Sequence, residues 1–132
     1  EPAREYMERA IKLMSEYGKP NNDMLIIYHN YANLMDDCGE PMKAIRAMKQ
    51  CAEYIKDANG ESTDYADFRL DMGKMYLKIG NFQNAKENFS AAFNIYASLF
   101  GADSEVFEGK FTELVDFANS HGIPFNRNLI TA

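Results

Sequence analysis

His29, His121, Cys38 and Cys51 are the side chains of this 132-residue chain with the most capacity for covalent or proton-transfer chemistry. Near neutral pH a histidine can trade protons, and a cysteine can attack or ligate as its thiolate. Either role needs convergence, a nucleophile beside a base or several ligands at metal-binding spacing. The two histidines stand near opposite ends of the chain, and no second cysteine pair or histidine cluster accompanies Cys38 and Cys51. Neither a zinc site nor a disulfide framework is indicated. The stretch GKMYLKIG, residues 73 to 80, offers glycines and lysines, but a phosphate cradle also requires a glycine-rich loop after a strand, and this stretch reads as helix. The expectation is therefore a protein that is not an enzyme and carries no metal and no cofactor.

The totals narrow the class further. A formal charge of −6, with a pI near 4.9, argues against nucleic acid as a partner, because phosphate-backbone binders need a basic face to displace counterions. Acidic balance favours basic or mixed partners. At 46% hydrophobic and 26% charged, the chain has enough apolar content for one globular core. No apolar run approaches the ~18 residues of a membrane span. A cytoplasmic protein with reduced thiols and no membrane partner is expected.

The elements that position these side chains emerge from self-comparison. Gly39 and Gly80 stand 41 residues apart, and the same offset links Ala3, Ala44 and Ala85, then Met7, Met48 and Phe89, then Ala10, Cys51 and Ala92. Each class keeps its size. Within a unit the apolar spacing is helical: Phe68, Met72, Met75, Tyr76 and Ile79 recur every three or four residues, as do Phe82, Ala85, Phe89, Ala92, Phe93 and Tyr96. Gly80-Asn81 supplies turn chemistry between the two runs, and Gly39-Glu40-Pro41 does so in the earlier unit, where proline can open the next helix. Helices are expected from Met24 to Cys38, from Met42 to Ala58, and over residues 104–120. Asp23, Ser62 to Asp64, and Asp103 with Ser104 are the expected N-terminal caps. Small residues interleaved with bulky ones predict helices in tight antiparallel pairs, an all-α fold.

At the family level the unit resembles a tetratricopeptide repeat. Gly73, Tyr76, Gly80, Ala85, Phe89 and Ala92 match that family's pattern of small, bulky, glycine, alanine, aromatic and alanine positions, and Ala32, Met35, Gly39, Ala44, Met48 and Cys51 form a second copy with the same sizes. The long period and the stretch NYANLM before the first turn look like the kinesin light chain subtype. The resemblance implies a right-handed α–α superhelix, a single domain over residues 1–132 that is part of a longer array. Its parts are residues 1–18 as the second helix of an incomplete repeat, 24–59 and 64–101 as full repeats, 104–121 as the first helix of another, and 122–132 as a tail or cap.

In that family the first helices line the concave side of the superhelix, which grips a peptide. The implied groove residues are His29, Asn30, Asn33 and Asp37 in one repeat, then Asp67, Leu70, Asp71, Lys74, Leu77 and Lys78 in the next, then Phe111. An asparagine suits the task because it offers both a donor and an acceptor to a peptide unit. Asn30 falls where the subtype carries its groove asparagine, and Asp71 replaces it in the next repeat. Leu70, Leu77 and Phe111 facing inward suit either bound side chains or cover from the tail or a neighbouring repeat. The implied function is a protein- or peptide-binding scaffold inside a larger protein, with self-association possible through exposed solenoid ends. A regulatory sensor module acting on an attached effector domain is the alternative. Family members that grip acidic C-terminal peptides use lysine, asparagine and arginine in the groove; here Asn33 is present but His29, Asp71, Glu108 and Thr112 hold the other positions, so acidic peptides should bind poorly.

Overall fold

The computed structural model describes Glu5, Glu8, Arg9, Lys12 and residues 22–123. The helix expected over residues 1–18 lies outside the described residues apart from those four positions, as does the tail beyond Ile123. Among the described residues all regular structure is helical: α1 (Asn22–Asp37), α2 (Pro41–Asn59), α3 (Thr63–Lys78), α4 (Phe82–Phe100) and α5 (Glu105–Ser120). The chain divides into two compact units, Glu1–Gly60 and Glu61–Ala132. The division falls between α2 and α3, where one 41-residue unit gives way to the next.

The helix ends show why the breaks fall where they do. At the end of α3, the Asn81 N–H donates to the Tyr76 carbonyl at 2.9 Å and the Gly80 N–H to the Leu77 carbonyl at 3.1 Å. This pairing needs a left-handed residue, and Gly80 supplies it with φ of 82°. The same two bonds close α1 at Gly39 and α5 at Gly122. By contrast α2 and α4 stop at Gly60 and Gly101, whose N–H groups keep α-type bonds to Lys56 and Ala97. Thus α1, α3 and α5 share one kind of ending, and α2 and α4 another.

Starts are equally local. The Tyr65 N–H donates to Ser62 Oγ at 3.3 Å and the Phe107 N–H to Ser104 Oγ at 3.1 Å, so both serines cap as expected. Asn81 caps α4 in the same manner, accepting from the Asn84 N–H. Asp23 lies inside α1 rather than ahead of it. Pro41 opens α2 at its first position, where its missing N–H costs nothing, and Glu40 pairs with Lys43 at 3.3 Å.

In the first unit Ala32 and Met35 of α1, with Ala44, Met48 and Cys51 of α2, are fully buried. Burial pushes the Cys51 thiol from its ordinary 9.0 up to about 12, whereas Cys38 is exposed. The neutral thiol therefore contributes stability below pH 9, and this contribution is lost as pH rises toward 12. At pH 8 an aromatic disulfide reagent should label Cys38 rapidly and Cys51 only after unfolding. Two equal rates in the native protein would contradict the packing assigned to Cys51.

The second unit is built on the close approach of α3 and α4. A Cβ placed on Gly73 would lie 2.5 Å from two ring carbons of Phe89, which is itself buried. Gly73 opposite Phe89 and Asp67 beside Tyr96 fix an antiparallel pair. A third helix, α5, joins through rings: Phe93 stands edge-on to Tyr96, Phe107 and Phe111 at centroid distances of 5.7, 5.1 and 6.2 Å. Such edge-to-face pairs add about 0.5–1.5 kcal/mol each beyond the area they bury. Ile79 and Phe82, placed in the core stripes by their spacing, are exposed instead. Both flank the Gly80-Asn81 reversal, where the paired helices run out and leave their last turns uncovered.

Candidate functional site

Serine caps set the phase of α3 and α5, and from those starts the spacing brings one polar face of each helix side by side. On α3, Asp67, Asp71, Lys74 and Lys78 recur at four-, three- and four-residue steps; on α5, Lys110, Glu113 and Phe117 do the same at three and four. Lys110 Nζ lies 3.2 Å from Asp67 Oδ1, and Lys74 Nζ lies 3.4 Å from Glu113 Oε1 and 4.0 Å from Asp71 Oδ1. Early pairs with early and late with late, so α3 and α5 run parallel within this unit.

Aromatic rings form the floor of this charged seam. Lys110 Nζ sits 5.8 Å from the Tyr96 ring centroid, and Lys74 Nζ 5.6 Å from that of Phe117. The buried Tyr96 hydroxyl donates to the same Asp67 oxygen that Lys110 meets. Its pKa is raised, first by burial, then by the bond to Asp67 and by the charges of Asp67, Asp71 and Glu113, so the phenol remains a neutral donor. Asp67 is thereby held from α4 and α5 at once. With their carboxylates 40 to 56% exposed, the ion pairs are worth about 0–1 kcal/mol each and fix geometry more than stability.

The residues assigned from the sequence separate into groups. Asp67, Asp71 and Lys74 come together with α5 at the seam, and Phe111 is half-buried against Phe93. Lys78 is exposed at the end of α3. In the first unit His29 is half-buried on α1, with Asn30, Asn33 and Asp37 exposed. Leu70 and Leu77 correct the expectation that they face a ligand, since they are 2% and 3% exposed. Buried residues on α3 spread over more than half of its circumference, from Tyr65 and Ala66 through Met72, Gly73 and Met75. Both leucines fall within this arc.

Lys110, Glu113, Tyr96 and Phe117 were not assigned to a site from sequence. The signal that could have found them is the opposite sign of Asp67 and Lys110, and of Lys74 and Glu113, on helices of the same class.

His121 Nδ1 lies 2.9 Å from the Phe117 carbonyl and 3.1 Å from Ser120 Oγ. A carbonyl only accepts, so Nδ1 carries the proton in that bond and cannot take another from Ser120. Among the described residues no group of three or more histidine, cysteine, aspartate or glutamate side chains could hold a metal ion, and no helix is long and apolar enough to cross a membrane. The seam sets carboxylates and ammonium groups of two parallel helices beside the half-buried Phe117 ring of α5 and the buried Tyr96 ring of α4. Comparison with protein-family models finds none that matches the chain, and comparison with curated proteins finds no match.

Proposed function

We propose that the chain is a stretch of a tetratricopeptide-type array that binds a protein or peptide partner through the polar faces of its first helices, without catalysing a reaction. The observation that carries this reading is the Gly73–Phe89 contact beside the Gly80 turn, placed where the repeat pattern puts its small, aromatic and glycine positions. Support comes from the matching closure of α1, α3 and α5, as equivalent first helices would have. Their remaining exposed or half-exposed side chains, Asn30, Asn33, Asp71 and Lys74 among them, are suited to bonding a peptide backbone and setting its register.

The test is selection from a displayed peptide library, followed by titration of the selected peptide against the threefold variant Asn30→Ala, Asn33→Ala and Asp71→Ala. Affinity should fall at least tenfold, about 1.4 kcal/mol, while the helical signal and thermal midpoint stay close to wild type. Unchanged affinity would show that these helix faces do not carry the interaction.

A further inference from the structure

We propose that the α3–α5 seam binds a lysine- or arginine-bearing segment of a partner protein, whose cations take the two seats that Lys74 and Lys110 fill in the free chain. This rests on the peptide-binding reading above and adds the chemistry of the partner. Each seat has the two parts that a cationic side chain selects, a carboxylate within ion-pair distance and an aromatic ring close by. One is formed by Asp67 and the Tyr96 ring, the other by Glu113, Asp71 and the Phe117 ring.

The carboxylate side of each seat opens to solvent. The carboxylates of Asp67, Asp71 and Glu113 are 40, 41 and 56% exposed, so an incoming cation can reach them without unpacking a helix. Lys110, 30% exposed, is held by one carboxylate at 3.2 Å and swings out into water at small cost on its four-carbon stem, whereas Lys74, 15% exposed, is held by two carboxylates at 3.4 and 4.0 Å and yields less readily. An arginine from a partner would gain a two-pronged bond to the same carboxylate, and at the half-buried Phe117 ring it would also stack better.

The surrounding charge has the sign such a partner needs. On α5, Glu105, Glu108, Glu113 and Asp116 face Lys110 as the sole basic residue of the helix. The raised pKa of Tyr96 fits this balance, since the charges acting on it are those of Asp67, Asp71 and Glu113. A cationic segment is drawn in at long range, and an acidic one is turned away. Lys74 and Lys110 then act as a built-in competitor that sets the affinity threshold. If they were only staples between α3 and α5, their removal would loosen the unit without improving the binding of anything.

The experiment uses the full chain and three fluorescein-labelled nonapeptides, Arg-Ala-Leu repeated three times and its glutamate and serine counterparts, followed by anisotropy at about 0.15 M salt. The arginine peptide should bind wild type, and Lys74→Met with Lys110→Met should bind it about tenfold tighter. Asp67→Asn with Glu113→Gln should abolish the binding. A control, Arg46→Met with Lys49→Met on α2, removes the same charge from exposed positions and should change affinity less than about twofold. Equal tightening in the control, or no tightening when the seats are emptied, overturns the proposal. Serine or glutamate peptides binding as well as arginine overturn it while leaving the peptide-binding reading intact, and failure of all three peptides removes both. Should the double variant lose its helical signal, Lys110→Met alone supplies the same comparison.

Discussion

Replacing Phe93 with alanine is expected to destabilise the second unit by about 3–5 kcal/mol, the usual range for deleting a buried aromatic ring. Phe93 is 3% exposed and touches rings on both sides, Tyr96 within α4 and Phe107 and Phe111 on α5. Its loss opens a hole in the ring cluster that seats α5 and leaves that helix held by Phe107, Leu114 and Ala118, with surface ion pairs that contribute little. Since a domain of this size has only about 5–15 kcal/mol in total, the unit should melt in two stages or fail to fold. Urea unfolding followed by far-ultraviolet circular dichroism measures this directly. A loss under about 1 kcal/mol would mean that α5 is held by something other than the ring cluster.

Gly73→Ala should also destabilise, although alanine is the better helix former by about 1 kcal/mol. Overpacking a filled core costs about 1–3 kcal/mol, and the new methyl group would meet the Phe89 ring at 2.5 Å with that ring buried on every side. The steric term wins because Phe89 has nowhere to go. Gly109→Ala on α5 isolates the opposing term: a Cβ there meets no atom within 4 Å, and stability should rise by about 0.5–1 kcal/mol. Combining Gly73→Ala with Phe89→Leu should recover part of the loss, because the smaller side chain makes room. A stabilising Gly73→Ala in wild type would refute the close approach of α3 and α4.

The parts of this fold that could be read in advance are those written into a few neighbouring residues. Ser62 and Ser104 announced their helices, Gly39 and Gly80 their turns, and the 41-residue offset identified Gly73, Ala85 and Ala92 as interface positions, since only side-chain size decides what fits between two helices. Other features depend on which helices become neighbours. Leu70 and Leu77 were misjudged because periodicity in one helix reveals a core stripe but not how wide an arc of the helix is covered. The pairing of Asp67 with Lys110 and of Lys74 with Glu113 joins residues about forty positions apart in the chain, and it follows only once α3 and α5 are known to run parallel. Ile79 and Phe82 obey the helical period and still face water, because periodicity carries no information about where a partner helix stops.

The short glycine turns also shape how quickly the native arrangement is found. The α1–α2, α3–α4 and α4–α5 contacts join helices adjacent in the chain, so little loop entropy is lost in bringing each pair together. Such low contact order favours folding in microseconds to milliseconds, with one hairpin serving as the nucleus on which the next helix condenses. The α3–α4 hairpin, with its Gly73–Phe89 contact, is the natural seed. A polypeptide organised this way acquires structure progressively as it leaves the ribosome, with no need to wait for its far end.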